Sequence, residues 1–83
     1  MEPKNISRRA MLPTSELVAT LMAVDSHGSM TAAADELYVT IPTVFNRLRS
    51  LERRMGQAVV VRGRRGCRVQ LTQYGRDLCR KAR

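Results

Sequence analysis

Two helix starts only nine residues apart, at Thr31 and Thr40, restrict this chain more than any other feature. Each is a hydroxyl residue of the kind that accepts a hydrogen bond from the first-turn amides of a following helix. Thr31 precedes AAADEL, and Thr40 precedes IPTVF, where Pro42 falls in a first turn that has no ladder bond to lose. The spacing predicts a helix of about two turns over 32–37, a tight turn at Tyr38 and Val39, and a longer helix from Ile41 to Met55. The three alanines let another backbone approach closely, which suits the crossing of a helix-turn-helix.

Within 41–55 the residues Val44, Leu48, Leu51 and Met55 recur at i, i+4, i+7 and i+11 and define a buried stripe. At about 100° per residue, Thr43, Asn46, Arg49, Ser50 and Arg53 fall on the opposite face, with Arg47 on the flank. Phe45 lies one step round from the stripe, either as a core-edge residue or as an apolar contact for thymine methyl groups. Beyond Gly56, the β-branched run 58–62 and the alternation of Cys67, Val69 and Leu71 with Arg68, Gln70 and Thr72 predict a half-buried β-hairpin. Its tip carries Arg64 and Arg65. The expected fold is mainly α with a small β-hairpin, a winged helix-turn-helix.

The flanks complete the domain. A supporting helix is expected over 14–27, capped by Thr14 or Ser15 after Pro13 and stopped by Gly28, with Leu17, Val18, Leu21, Met22 and Val24 facing the core. Thr72 can cap a last helix, 73–82, that carries Tyr74 and Leu78 at i, i+4 and closes on RKAR, as a helix continuing into a following domain would. Residues 1–12, with Pro3 and the cations Lys4, Arg8 and Arg9, and with Pro13 just beyond, read as a flexible arm. The expected organisation is therefore an arm over 1–12, a winged helix-turn-helix over 13–72, and a linker or dimerisation helix over 73–83.

Charge is placed rather than scattered. No Lys or Arg occurs over 10–46, whereas residues 47–83 hold twelve of the fifteen, against only Glu52 and Asp77. A net charge of +8 on 83 residues puts nucleic acid first among partners, ahead of an anionic membrane or an acidic protein. No apolar run approaches the roughly 18 residues of a membrane span, and no secretory signal opens the chain, so a soluble cytoplasmic protein is expected. Cys67 and Cys79 are too far apart for a redox pair, and with the one His27 they cannot make a zinc site, so both are expected as reduced packing residues. His27 has no plausible catalytic partner and suits the negative end of the first helix. Neither an enzyme nor a bound metal or cofactor is expected.

Three runs, GSMTAAADELYVTIPTV, RLRSLERRMG and VQLTQYGRDL, resemble the DNA-binding domain of LysR-type transcriptional regulators. The chain is also similar to the N-terminal domain of ModE-type molybdate-responsive regulators, through the aromatic at Phe45 and the run from Leu71 to Gly75. The resemblance implies that helix 41–55 enters the major groove with Thr40, Pro42, Thr43 and Asn46 nearest the base edges. It also implies that Arg47, Arg49 and Arg53, with the wing residues Arg62, Arg64, Arg65 and Arg68, hold backbone or minor groove. Ile41 and Phe45 depart from the LysR-type pattern, which has Gln and Ser at those places. The family's effector domain lies outside these residues, so no small-molecule ligand is expected here.

The sequence thus points to a double-stranded DNA-binding transcription regulator, a homodimer paired through the first and last helices at Tyr74 and Leu78. The rival is a winged-helix interaction module that docks an acidic protein and binds DNA only non-specifically. Hydroxyls and an amide at Thr43 and Asn46, among arginines, favour DNA, because a dock for acidic protein has no need of them.

Overall fold

The computed structural model describes residues 12–61 and 69–82. The arm residues Lys4, Arg8 and Arg9, the wing residues Arg62, Arg64, Arg65 and Arg68, and Cys67 lie outside them. Four helices and a two-stranded antiparallel sheet follow in the order α1 (Thr14–His27), α2 (Met30–Leu37), α3 (Ile41–Met55), β1 (Val60–Val61), β2 (Gln70–Leu71) and α4 (Gln73–Ala82). Val60 pairs with Leu71 and Val61 with Gln70. This is the expected winged helix-turn-helix arrangement.

α1 is the hub, packed against α2, α3 and α4. Its Leu17, Leu21 and Val24 are buried with Val44, Leu48 and Leu51 of α3, the two alanines Ala33 and Ala34 of α2, Val59, Leu71 and Cys79. The apolar stripe of α3 therefore lies where its period puts it, with Met55 half-buried at the end. Full burial of a leucine or valine side chain contributes about 1.5 to 3 kcal/mol, so these few contacts carry much of the stability of a domain this small.

Two helix starts differ from expectation. α1 has Pro13 at its N-cap position with no side-chain cap, and the Pro13 carbonyl accepts from the amides of Glu16 (3.0 Å) and Leu17 (3.3 Å). Thr14 and Ser15 are already helical, because Pro13 enters in an extended conformation that leads straight into the first turn. α2 begins at Met30, capped by Ser29, whose Oγ accepts from Ala32 N at 3.2 Å. Thr31 is not the cap. Gly28 ends α1 in the left-handed region (φ 67) and Ser29 is extended, so the new helix starts at once and Met30 packs against the core. The other ends follow the sequence: Gly56 (φ 73) stops α3, and Thr72 Oγ1 accepts from Gly75 N at 3.0 Å to cap α4.

Candidate nucleic-acid interface

The turn between α2 and α3 is built from backbone. Tyr38 takes a left-handed conformation (φ 59), unusual for a residue with a side chain, and its N–H and that of Val39 close the end of α2 on the carbonyls of Asp35 and Ala34. Thr40 is extended and its Oγ1 accepts from Thr43 N at 3.3 Å. The hydroxyls of Thr40 and Thr43 also lie 2.9 Å apart in a mutual hydrogen bond. One hydroxyl proton is used there, and the pair keeps the other for a further acceptor.

The four arginines of α3 sort into two pairs. Arg49 and Arg53, at i and i+4, are exposed on one face with Pro42, Phe45 and Asn46. Arg47 and Arg54, at i and i+7, turn to α1 instead: Arg47 donates to Thr20 Oγ1 at 3.4 Å and Arg54 to Thr14 Oγ1 at 3.3 Å. Thr20 is fully buried and donates in turn to the Glu16 carbonyl at 3.0 Å. The Nε of Arg47 is buried without a hydrogen-bond partner among the described residues. Arg47, expected near phosphate, is thus directed at the supporting helix, because its position on α3 lies over the α1 crossing.

Among the described residues no hydrogen bond or ion pair engages Asn46, Arg49 or Arg53. That face of α3 presents an amide, two guanidinium groups and apolar carbons, with no acid among them. Glu52, the only acid of α3, points elsewhere: its Oε2 accepts from Val59 N at 2.9 Å and Val60 N at 3.4 Å. It ties the start of the hairpin, at Val59 and Val60, to α3. In the sequence Glu52 stands out as the lone acid of an arginine-rich helix, but its partners, the amides of Val59 and Val60, do not follow from helical period.

Phe45 is 46% exposed and Ile41 38% exposed, and neither is one of the buried core residues. With about half its surface covered and half open, Phe45 fits a core-edge position that also presents an apolar face to solvent. Tyr74 and Leu78, expected as a free dimerisation strip, are half-buried and packed against the core, while Gly75 and Cys79 form the buried line of α4. α4 therefore joins the domain body more closely than expected. Arg76 also folds back, donating to the Leu71 carbonyl at 3.0 Å. His27 does have a partner, since its Nε2 is hydrogen-bonded to Glu36 Oε1 and ties the end of α1 to α2. Among the described residues no group of three His, Cys, Asp or Glu side chains could hold a metal ion, and no helix is long and apolar enough to cross a membrane.

Residues 15–76 match the family of bacterial regulatory helix-turn-helix proteins described as the lysR family. The chain is 45% identical over 65 residues to the HTH-type transcriptional regulator LysG of Mycobacterium tuberculosis, an overlap of 78% of this chain and 20% of the relative; LysG of Mycobacterium bovis gives the same figures. Among solved structures, the CbnR DBD–DNA complex superimposes with a TM-score of 0.73 at 29% identity, covering 82% of this chain and 76% of that one. ArgP from Mycobacterium tuberculosis does so with a TM-score of 0.71 at 41% identity, covering 80% and 24%. The chain spans about a fifth of the length of the curated relatives it matches.

Proposed function

The chain belongs to the LysR family of bacterial regulatory helix-turn-helix proteins, and from that premise we propose that it binds double-stranded DNA in a sequence-dependent way as a cytoplasmic transcription regulator. The observation that carries the proposal is the exposed face of α3, where Asn46, Arg49 and Arg53 have no hydrogen-bond or ion-pair partner among the described residues and stand beside Pro42 and Phe45. An α-helix fits the major groove, an amide can pair in two places with adenine, and guanidinium groups suit guanine edges or phosphates. In this reading Thr40, Pro42, Thr43 and Asn46 meet base edges, and Arg49 and Arg53 grip backbone with the wing residues Arg62, Arg64, Arg65 and Arg68. Arg47 serves by holding α3 at its angle to α1.

A homodimer through α1 and α4, using the surface that Tyr74 and Leu78 keep, would set two copies of α3 about one DNA turn apart, roughly 34 Å, on an inverted-repeat site. A strict monomer in sedimentation at high concentration would remove that part of the proposal.

The test is a pair of salt titrations, on a duplex selected from a random library and on random duplex. Asn46→Ala should cost roughly 1 to 3 kcal/mol on the selected site and leave random binding nearly intact. Replacing Arg64 and Arg65 together by Ala should weaken both duplexes and flatten the log K against log salt slope by up to about 2. Equal loss on both duplexes for Asn46→Ala, with no effect of the wing change, would refute the assignment and favour a dock for an acidic protein.

A further inference from the structure

Uncovered apolar side chains concentrate at the start of α3. Of the large hydrophobic residues exposed among the described residues, Tyr38 (94%), Ile41 (38%) and Phe45 (46%) fall within one turn-and-helix start, beside the exposed Pro42. Ile41 and Phe45 are one helical turn apart, and Phe45 and Arg49 are again one turn apart, so the apolar patch runs directly into the cationic face. Single exposed hydrophobes are ordinary, but a contiguous group rimmed by polar residues marks a contact surface. The rim here is Asn46, Arg49 and Arg53, and the one acid of α3, Glu52, is turned to the hairpin amides. The occupant must therefore bring small apolar groups inside a negatively charged frame. Major-groove DNA does so wherever thymine presents its 5-methyl group between two phosphate backbones.

We infer that Ile41 and Phe45 read thymine 5-methyl groups, so that at these positions the protein recognises a methyl pattern rather than hydrogen-bonding edges. The inference rests on the DNA-binding proposal above. Neither side chain has a donor or an acceptor, so neither can distinguish purine edges, whereas a methyl group separates thymine from cytosine. A consequence follows that hydrogen-bond reading would not give: 5-methylcytosine, with its methyl at the same place, substitutes for thymine at these positions better than cytosine does.

The experiment uses the 83-residue chain and a site selected from random duplex, with each thymine replaced in turn by deoxyuridine, which removes only the methyl. Wild type should lose roughly four- to tenfold in affinity at one or two positions of each half-site, the scale of one buried methyl contact or somewhat more. Phe45→Ala and Ile41→Ala should bind the thymine duplex more weakly and show no further loss on deoxyuridine at the position each reads. Asn46→Ala should keep the full deoxyuridine penalty. Both Ala variants should stay folded, with at most a modest drop in Tm, since neither is one of the buried core residues. Wild type indifferent to deoxyuridine at every position, while still preferring the selected duplex over random, would overturn the methyl reading and leave DNA recognition standing. Equal binding to selected and random duplex would overturn sequence recognition itself, and the inference with it.

Discussion

Gly75→Ala is the most severe single-methyl change the structure offers. Gly75 lies in the first turn of α4, and a Cβ there would sit 2.2 Å from the Val59 carbonyl oxygen, 3.1 Å from its carbon and 3.3 Å from its Cα. That carbonyl cannot simply swing aside. It accepts from Thr72 N at 3.0 Å, Val59 N is held by Glu52 at 2.9 Å, and Val59 is fully buried. Overpacking of this kind costs about 1 to 3 kcal/mol, and breaking the Thr72 bond adds about 1 kcal/mol. Ala gains up to about 1 kcal/mol over Gly in a helix interior, and less in a first turn. The net loss is about 2 kcal/mol, or roughly 8 to 16 °C in Tm for a domain of this size. Gly56→Ala supplies the comparison, because Gly56 has φ +73 and no atom within 4 Å of a built Cβ. It carries left-handed strain alone, about 1 to 2 kcal/mol. Thermal melts followed by far-ultraviolet circular dichroism, in one buffer, measure both. Gly75→Ala melting at or above wild type would refute the argument that backbone contact, rather than helix propensity, selects glycine there.

Tyr38→Gly should raise stability by about 0.5 to 1 kcal/mol, since it relieves a left-handed residue whose side chain is 94% exposed; a lower Tm would count against it. Arg47→Met should cost about 1 kcal/mol of stability with little change in the salt dependence of duplex binding, while Arg49→Ala should lower that slope by about 1. If the two change the slope alike, the division of the α3 arginines fails. Cys79 is 1% exposed, so a thiol reagent should modify it slowly in the native chain and quickly in denaturant; equal rates would show that α4 does not hold its place on the core.

The parts of the fold legible in the sequence are those set by local chemistry. The period of Val44, Leu48 and Leu51 needs only helix geometry, and the stops at Gly28 and Gly56 need only the left-handed residue that ends a helix. Thr40 and Thr72 cap as expected because each is followed by a helix-forming stretch with no competing polar residue just before it. At α2 two hydroxyl residues compete, Ser29 and Thr31. Local preference does not choose between them. The burial of Met30 does, because it favours the earlier start, and that contact is with residues distant in the chain.

The same division runs through the site. Helical arithmetic puts Asn46, Arg49 and Arg53 on one face, and the fold leaves them open to solvent. It could not say that the flank occupied by Arg47 lies over Thr20, since the crossing of α3 on α1 is set by packing between residues distant in the chain. The roles of Glu52 and Gly75 were illegible for the same reason, as each acts on Val59, in the segment just before β1. Both contacts hold the start of the hairpin: Glu52 accepts from the amides of Val59 and Val60, and Gly75 allows α4 to approach the Val59 carbonyl. A basic hairpin can grip DNA beside α3 only if its base is held at a constant angle to that helix. If α3 and the hairpin grip one duplex as proposed, the Glu52 carboxylate and the bare Cα of Gly75 serve that grip by holding Val59, although neither lies on the exposed face of α3.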